Sequence, residues 1–327
     1  MALQLRKEAV TLEIKSFRDL VEKYGGMKPA ARATGLSFGK IQRGVNREKR
    51  QLEKKMIPRL EVLPEPEQPY TKPNLKHTLF ITDSHDDPKI PKDRFKWMGY
   101  HAKHGNYDHI VHGGDVLDLQ SLCSHVKNET FTGRFKGTYQ DDLSSFNEAL
   151  GLFQQESGNR KVIGVLGNHD IRAKIYENLN PETQGTMHHA LMRVFETNNW
   201  HMLEYGHRLT VEGVDYIHTP FAKGSGTKPL GGQNIMARQA KRIVRSMAFG
   251  HNHMAGVYTE DKDDGAHGNV WMINGPCSLP QGFMFDYVGE SPSGWSYGVT
   301  RVTTLDERVI SVKFFSMTEL QAEWEAR

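Results

Sequence analysis

The sequence of 327 residues predicts a mixed α/β protein, with stacked sheets flanked by helices and a small helical domain in front of them. Short apolar runs alternate with helical patterns from residue 77 onward. Residues 62–76 contain four prolines and no periodicity, which is typical of a semi-extended linker. Residues 1–60 carry fifteen basic and six acidic side chains, whereas the rest carries 27 basic and 33 acidic ones. The predicted domains are therefore 1–61, basic and helical, and 77–327, separated by the linker 62–76.

The composition excludes several classes of protein. Hydrophobic residues make up 37% and charged residues 25% of the chain, as in soluble globular proteins. No apolar run reaches eighteen residues, so a membrane-spanning helix is not expected. The charged start MALQLRKEAVTLEIKSF does not match a signal peptide. Two cysteines, Cys123 and Cys277, favour a reducing cytoplasm over a disulfide-stabilised or zinc-finger protein.

The N-terminal domain is predicted to form three short helices. Ser16 is placed to cap the first helix, which Gly25-Gly26 ends. Pro29 fits the opening turn of the second, and Gly35 fits a tight turn after it. Ser37 is placed to cap a third helix that runs through Arg47. The side chains expected to face inward are Phe17, Leu20 and Val21 in the first helix, and Phe38, Ile41 and Val45 in the third.

A small-residue helix, a glycine turn and a basic third helix are what a helix-turn-helix requires. This region resembles the short helix-turn-helix domains of phage and transposon proteins. The resemblance implies a nucleic-acid partner, DNA or RNA, for the basic N-terminal region. The groove-facing candidates are Lys40, Gln42, Arg43 and Arg47. An ordinary helical hairpin docked on the main domain is the alternative interpretation.

In the main domain, five of the predicted strands end in polar residues that can bind a metal. The predicted strands are Thr78–Ile81, His109–His112, Val162–Leu166, Val214–His218, Met247–Phe249 and Val270–Ile273. The predicted helices include Asp142–Gln155, Met187–Asn198 and Gln233–Val244, and residues 201–216 are interpreted as a hairpin. The segments at the strand ends are Asp83-Ser84-His85, Gly114-Asp115-Val116-Leu117-Asp118, Gly167-Asn168-His169-Asp170, His218 and Gly250-His251-Asn252-His253. Carboxylate, imidazole and amide oxygen together suit Mn, Fe, Zn or Ni.

These five segments, in this order, resemble the calcineurin-like metallophosphoesterase family. Its pattern is D-x-H, G-D-x-x-D, G-N-H-D/E, H and G-H-x-H, and about two hundred residues match with every motif intact. The resemblance implies a four-layer double β-sandwich flanked by helices. It also implies two divalent metal ions, with manganese expected first. Asp83, His85 and His253 would hold one metal, Asn168, His218 and His251 the other, and Asp115 would bridge them.

The expected reaction is hydrolysis of a phosphate ester by a water activated between two metals. The resemblance makes His169 the acid that protonates the leaving oxygen, and Asp170 is expected to orient its imidazole. Asp118 is expected to support the metal ligands from behind. Arg172 is a candidate for holding a non-reacting phosphate oxygen, with a surface salt bridge as the alternative.

The substrate is the least determined feature of the sequence. Residues 121–142 interleave basic and aromatic side chains (His125, Phe131, Arg134, Phe135, Lys136 and Tyr139), which is compatible with a lid or substrate wall and equally with a packed surface loop. The basic N-terminal region favours a phosphodiesterase or nuclease acting on nucleic acid. The alternatives are a phosphomonoesterase and a DNA-binding protein whose metal site is only structural.

Overall fold

The computed structural model describes residues 16–56, 73–123, 136–221, 234–262, 268–285 and 294–327. The chain divides into two compact units, residues 1–71 and 72–327. This boundary falls inside the segment assigned to the linker, whose last two residues belong to the first strand, Leu75–Ile81. No helix of the described ranges is long and apolar enough to cross a membrane.

The first unit contains the three predicted helices, α1 (Phe17–Lys23), α2 (Met27–Thr34) and α3 (Phe38–Met56). The Ser16 side chain caps α1, and Gly35 ends α2 in the left-handed conformation. Leu20, Ala30 and Ile41, one from each helix, form the buried centre. Two expectations were wrong. Phe38 is 45% exposed, and α3 continues nine residues past Arg47 because the segment after it is rich in good helix formers.

A carboxylate from α3 caps the start of α1. Glu48 accepts hydrogen bonds from the backbone N–H groups of Phe17 (2.7 Å) and Arg18 (3.1 Å) and from the hydroxyl of Ser16 (3.1 Å). The carboxylate, 31 residues from Phe17 in sequence, thereby accepts from free N–H groups at the start of α1 and lies at the positive end of its dipole. This contact joins the start of α1 to α3.

Two sheets form the second unit. The first sheet has the order β11-β10-β1-β2-β3-β4. Strands β1 to β4 are parallel to one another, β10 is antiparallel to β1, and β11 is antiparallel to β10. Its strands are β1 (Leu75–Ile81), β2 (His109–His112), β3 (Val162–Val165), β4 (Trp200–Leu203), β10 (Gly298–Leu305) and β11 (Arg308–Ser316). The second sheet has the order β5-β6-β7-β9-β8 with a parallel centre. Its strands are β5 (Leu209–Val211), β6 (Val214–Tyr216), β7 (Ser246–Phe249), β8 (Gly256–Asp261) and β9 (Asn269–Asn274).

The sheets pack face to face, and helices cover their outer faces. Phe80 and Val111 of the first sheet share one buried cluster with Tyr216, Ala248 and Ile273 of the second. The helices of this unit are α4 (Asp93–His104), α5 (Tyr139–Ser157), α6 (Arg172–Leu179), α7 (Met187–Thr197), α8 (Ile235–Ala240) and α9 (Met317–Glu325). The outer face of the first sheet packs on α4, α5, α7 and α9, and that of the second packs on α8. The predicted architecture of two sheets flanked by helices is confirmed.

The predicted hairpin over residues 201–216 was wrong in its first half. Residues 200–203 form β4, which pairs in parallel with β3 at the edge of the first sheet. The hairpin is confined to β5 and β6. Alternating apolar residues fit both arrangements, and burial of Trp200 among Phe153 and Phe195 stabilises the observed one. The helix predicted over 233–244 is also shorter, Ile235–Ala240, and residue 233 lies outside the described residues.

Candidate metal centre

The segments with predicted metal ligands meet at one edge of the double sheet. They follow β1, β2 and β3 of the first sheet and β6 and β7 of the second, all at the carboxyl ends of parallel strands. Pairing continues past the ends of β1 and β2. The N–H groups of Asp83 and His85 donate to the carbonyls of Gly114 and Asp115, both at 3.0 Å. In the second sheet, the N–H of Gly250 donates to the carbonyl of His218 (2.9 Å).

A first group of metal-binding side chains consists of Asp83, His85 and His253, whose ligand atoms lie within 4.8 Å of one another. His85 Nε2 lies 3.1 Å from His253 Nε2, and Asp83 Oδ1 lies 3.4 Å from His253 Nε2. All three residues are buried. Ring nitrogens and a carboxylate oxygen thus face a common centre, as expected for one metal site.

A second group contains Asp115, His218 and His251, again within 4.8 Å. The amide oxygen of Asn168 joins it, 2.9 Å from His218 Nε2. His218 Nδ1 lies 2.9 Å from the carbonyl oxygen of Gly113, so this nitrogen carries a proton and donates it. The other nitrogen, Nε2, is thereby directed toward Asn168 and Asp115.

Asp115 lies between the two groups. Its Oδ2 is 3.3 Å from His218 Nε2 and 3.8 Å from His85 Nε2. Its Oδ1 accepts a hydrogen bond from the backbone N–H of His169 (2.8 Å). One carboxylate therefore reaches both groups, which is the arrangement expected of a bridging ligand.

The charges of these groups fit divalent cations. Burial raises the pKa of Asp83 and Asp115, but the surrounding histidines outweigh burial and hold both carboxyls ionised. Burial lowers the pKa of His85 and His251, which keeps them neutral. Burial also disfavours the charged form of His218, but Asp115 raises its pKa to about 9. Buried carboxylates that need a counter-charge, next to neutral imidazoles, are the donor set that a divalent metal satisfies.

Five of the predicted ligands have left-handed backbone conformations. These are Asp83 (φ 53°), His85 (φ 42°), Asp115 (φ 52°), His251 (φ 70°) and His253 (φ 58°). Residues other than glycine rarely adopt this region, and such strain concentrates at functional sites. The strand-end loops therefore turn sharply at the residues whose side chains point into the site.

His169 lies beside the first group, and its partner is Asp118. Its Nδ1 is 2.6 Å from Asp118 Oδ1, and the same carboxylate oxygen lies 3.3 Å from Nδ1 of His85. Burial disfavours the imidazolium, but the charge of Asp115 and the hydrogen bond to Asp118 raise the pKa of His169. Arg172 donates to the backbone carbonyl of Asp118 (2.5 Å), and its second terminal nitrogen lies 3.4 Å from His169 Nε2. The guanidinium is thus at the site, beside the outward nitrogen of the imidazole.

The expectation that Asp170 orients His169 was wrong. The Asp170 carboxylate accepts hydrogen bonds from the backbone N–H groups of Gly167 (2.7 Å), Val116 (3.0 Å) and Leu117 (3.2 Å). Burial and the nearby charge of Asp115 raise its pKa to about 7. The Asp170 side chain therefore points back into the fold and connects the loop after β3 to the loop after β2. Asp118, and not Asp170, holds the imidazole of His169.

Several residues of the site had no strong signal in the sequence. The hydroxyl of Ser84, between two predicted ligands, lies 2.9 Å from Nε2 of His112. Aromatic side chains contact the imidazoles from outside: Trp295 lies 4.3 Å from His253 and Phe285 lies 5.5 Å from His85, between ring centroids. Tyr205 lies 6.2 Å from His218. Apolar and aromatic residues in loops have no periodicity, so only the structure places these at the site.

The remaining predicted residues lie elsewhere. Of the predicted substrate wall, residues 124–135 are outside the described part of the chain. Lys136 donates to the carbonyl of Cys123 and Tyr139 to that of Met187, so both are held by the body of the protein. In the N-terminal unit, Lys40, Arg43 and Arg47 are exposed on α3. Gln42 is half-buried and donates to the Asn46 side chain (3.2 Å).

Comparison with known proteins identifies the family of the chain. The model of the calcineurin-like phosphoesterase family matches residues 76–263, more than half of the chain. The protein is therefore a hydrolase of phosphate esters that depends on divalent metal ions. It belongs to the calcineurin-like phosphoesterase family.

The other comparisons add little. A metallophosphoesterase from Sphaerobacter thermophilus is similar at 14% identity, with 77% of this chain and 94% of that chain covered and a TM-score of 0.36. At this level the likeness supports no argument about fold or function. No curated protein matches the sequence.

Proposed function

We propose that the protein is a phosphodiesterase that hydrolyses nucleic acid at a centre of two divalent metals, manganese first among the candidates. Asp83, His85 and His253 would hold one metal, and Asn168, His218 and His251 the other. The observation that carries the proposal is the Asp115 carboxylate, 3.3 Å from His218 and 3.8 Å from His85. Metals bound there would neutralise the phosphate and make a shared water a nucleophile near neutral pH.

The side chains around this centre would handle the proton. Since Nδ1 of His169 is held by Asp118 at 2.6 Å, only Nε2 is available to a substrate. Asp115 and Asp118 raise the pKa of His169, which favours the protonated imidazole whose Nε2 can donate to the leaving oxygen. Arg172, next to this nitrogen, is placed to hold a phosphate oxygen.

A nucleic-acid substrate is supported by the exposed face of α3. Arg43, Asn46, Arg47, Arg50 and Gln51 line one open groove of about 400 Å³ along this helix. Their spacing places three guanidinium groups and two amides on one side, a combination that suits phosphates and base edges. This set extends the predicted residues toward the C-terminal end of α3.

The chemistry is tested with manganese-dependent release from bis-p-nitrophenyl phosphate and from p-nitrophenyl phosphate. Asp115→Asn and His251→Ala are expected to abolish turnover and lower metal content, while His169→Ala slows turnover with metal retained. His109→Ala is the matched control, because His109 pairs with Glu212 (2.8 Å) away from the site. Greater activity on the monoester would make the protein a phosphomonoesterase. Unchanged turnover in Asp115→Asn would refute the assignment of ligands.

The nucleic-acid surface is tested in the full chain. Arg47→Ala and Arg50→Ala are each expected to weaken binding of labelled DNA. Each should also make the negative slope of log affinity against log salt less steep by about 0.9. Lys28→Ala, an exposed cation on α2 outside this face, is the control. Equal effects of all three substitutions would indicate nonspecific attraction to a basic domain.

A further inference from the structure

A cavity of about 370 Å³ is lined by Trp295, whose ring contacts His253 of the first group of ligands. Its walls include Pro276, Gln281, Trp295, Tyr297 and Glu319. The volume is in the range of sites for small organic groups. It is separate from the ligand atoms, since none of the predicted metal ligands lines it.

Trp295 joins this cavity to the metal centre. Its ring lies 4.3 Å from that of His253, at an interplanar angle of 76°, and the same side chain lines the cavity. The neighbouring backbone is anchored to the ligand loop, because the N–H of Ser296 donates to the carbonyl of His253 (2.7 Å). Trp295 therefore both contacts a predicted metal ligand and lines the cavity.

The position of the cavity wall is fixed by further hydrogen bonds. The hydroxyl of Tyr297 donates to the carbonyl of Phe283 (2.7 Å), and the N–H of Cys277 donates to the carbonyl of Ser296 (2.9 Å). These bonds hold Tyr297 and Ser296, which line the cavity, to neighbouring segments. Because the aromatic wall is held in place before a ligand arrives, binding loses little conformational freedom.

The lining selects against a second phosphate. Of the described residues that line the cavity, none is cationic, and Glu319 adds a carboxylate that repels anions. Indole and phenol rings suit a flat group that stacks on them. The Gln281 amide and the Glu319 carboxylate suit polar N–H groups on the edge of such a ring.

We propose that this cavity binds one heteroaromatic base of the phosphodiester whose phosphate occupies the metal centre. The inference rests on the proposed phosphodiesterase function and adds a specificity site to it. Trp295 supplies the stacking surface, and Gln281 and Glu319 contact the edge of the base. The enzyme then distinguishes nucleotide diesters from simple diesters that have the same leaving group.

The test compares thymidine 5′-(p-nitrophenyl phosphate) with methyl p-nitrophenyl phosphate, which share the leaving group and differ in the nucleoside that carries the base. The wild-type KM is expected to be about 5- to 150-fold lower for the thymidine ester, the range for stacking of one base. Trp295→Leu should bring this ratio close to one, and Gln281→Ala should reduce it. Met284→Ala, an exposed substitution on the same segment, should leave it unchanged.

The outcomes separate this inference from the proposed function. Hydrolysis of both esters with equal KM would refute the base site and leave the phosphodiesterase intact. If neither ester is hydrolysed, the proposed function fails. The cavity is then still tested by the binding of free thymidine and guanosine, measured by equilibrium dialysis. Nucleoside binding that Trp295→Leu does not weaken would also overturn the inference.

Discussion

Replacing Asp118 by asparagine separates the roles of the two histidines that share its carboxylate. Asp118 is 1% exposed, with Oδ1 at 2.6 Å from His169 and at 3.3 Å from His85. Asparagine has the same shape, but its neutral oxygen cannot stabilise an imidazolium as a carboxylate does. The shorter bond is of the charge-assisted kind.

The expected loss follows from this bond. Hydrogen bonds to charged groups contribute about 1.5–3 kcal/mol, so turnover should fall roughly 10- to 150-fold when the acid form of His169 loses its partner. The weaker contact to His85 orients a predicted metal ligand from behind, and loss of such a contact lowers metal affinity about 10- to 100-fold. Saturating metal should therefore restore the metal content of Asp118→Asn without restoring its rate.

The assay uses two leaving groups at saturating manganese. p-Nitrophenolate leaves readily without a proton, whereas phenolate depends more on the acid, so Asp118→Asn should lose more activity on the phenyl diester. Asp142→Asn is the matched control, because among the described residues this buried carboxylate accepts hydrogen bonds from Ser121 and contacts no histidine. An equal deficit on both diesters, or none, would refute proton delivery through His169.

Three further predictions concern stability and metal binding. Burial raises the pKa of Asp142 from 3.8 to about 6, so its contribution to stability is full below pH 4 and is lost as pH rises through 6. Asparagine does not titrate, so only the wild-type protein loses this stability as pH rises. With chelator present, the difference in unfolding free energy, Asp142→Asn minus wild type, should therefore increase by up to about 3 kcal/mol between pH 4 and pH 8. Gly167→Ala places a methyl group against the Asp115 carboxylate and backbone, so metal content should fall sharply, whereas Gly151→Ala, with open space around it, should not change it. Because a proton held on His218 up to about pH 9 must leave when metal binds, calorimetry should show metal affinity increasing from pH 7 to 9, and a flat profile would contradict this.

The sequence could predict the site where chemistry and strand pattern coincide in one short segment. Asp83-Ser84-His85 follows an apolar run, and the carboxyl ends of parallel strands converge whatever the length of chain between them. It could not predict which carboxylate holds His169. Asp170 is adjacent in sequence, but the turn after β3 directs it to backbone N–H groups, and the true partner, Asp118, is 51 residues away.

Parts of the fold were also beyond the reach of local patterns. Strand β10 closes the first sheet beside β1, and this pairing joins residues at least 220 positions apart, from Leu75 with Leu305 to Phe80 with Thr300. The strand β4 has the same alternation as a hairpin strand, and only burial of Trp200 against α5 and α7 assigns it to the first sheet. Partner choice among strands is a long-range property, since each alternation is compatible with several neighbours.

The five ligand residues in the left-handed region require loops whose conformation is stabilised by the protein itself. Each such conformation costs roughly 1–3 kcal/mol in a residue other than glycine, so five of them need compensation from the surrounding fold. Asp83 and His85 donate their N–H groups to the neighbouring loop, and the N–H of His251 donates to Asp83 at 3.0 Å. These bonds involve protein atoms alone. The backbone turns are therefore stabilised without a cation. The ligand side chains already converge, so a bound metal would displace the proton of His218 and neutralise the carboxylates of Asp83 and Asp115.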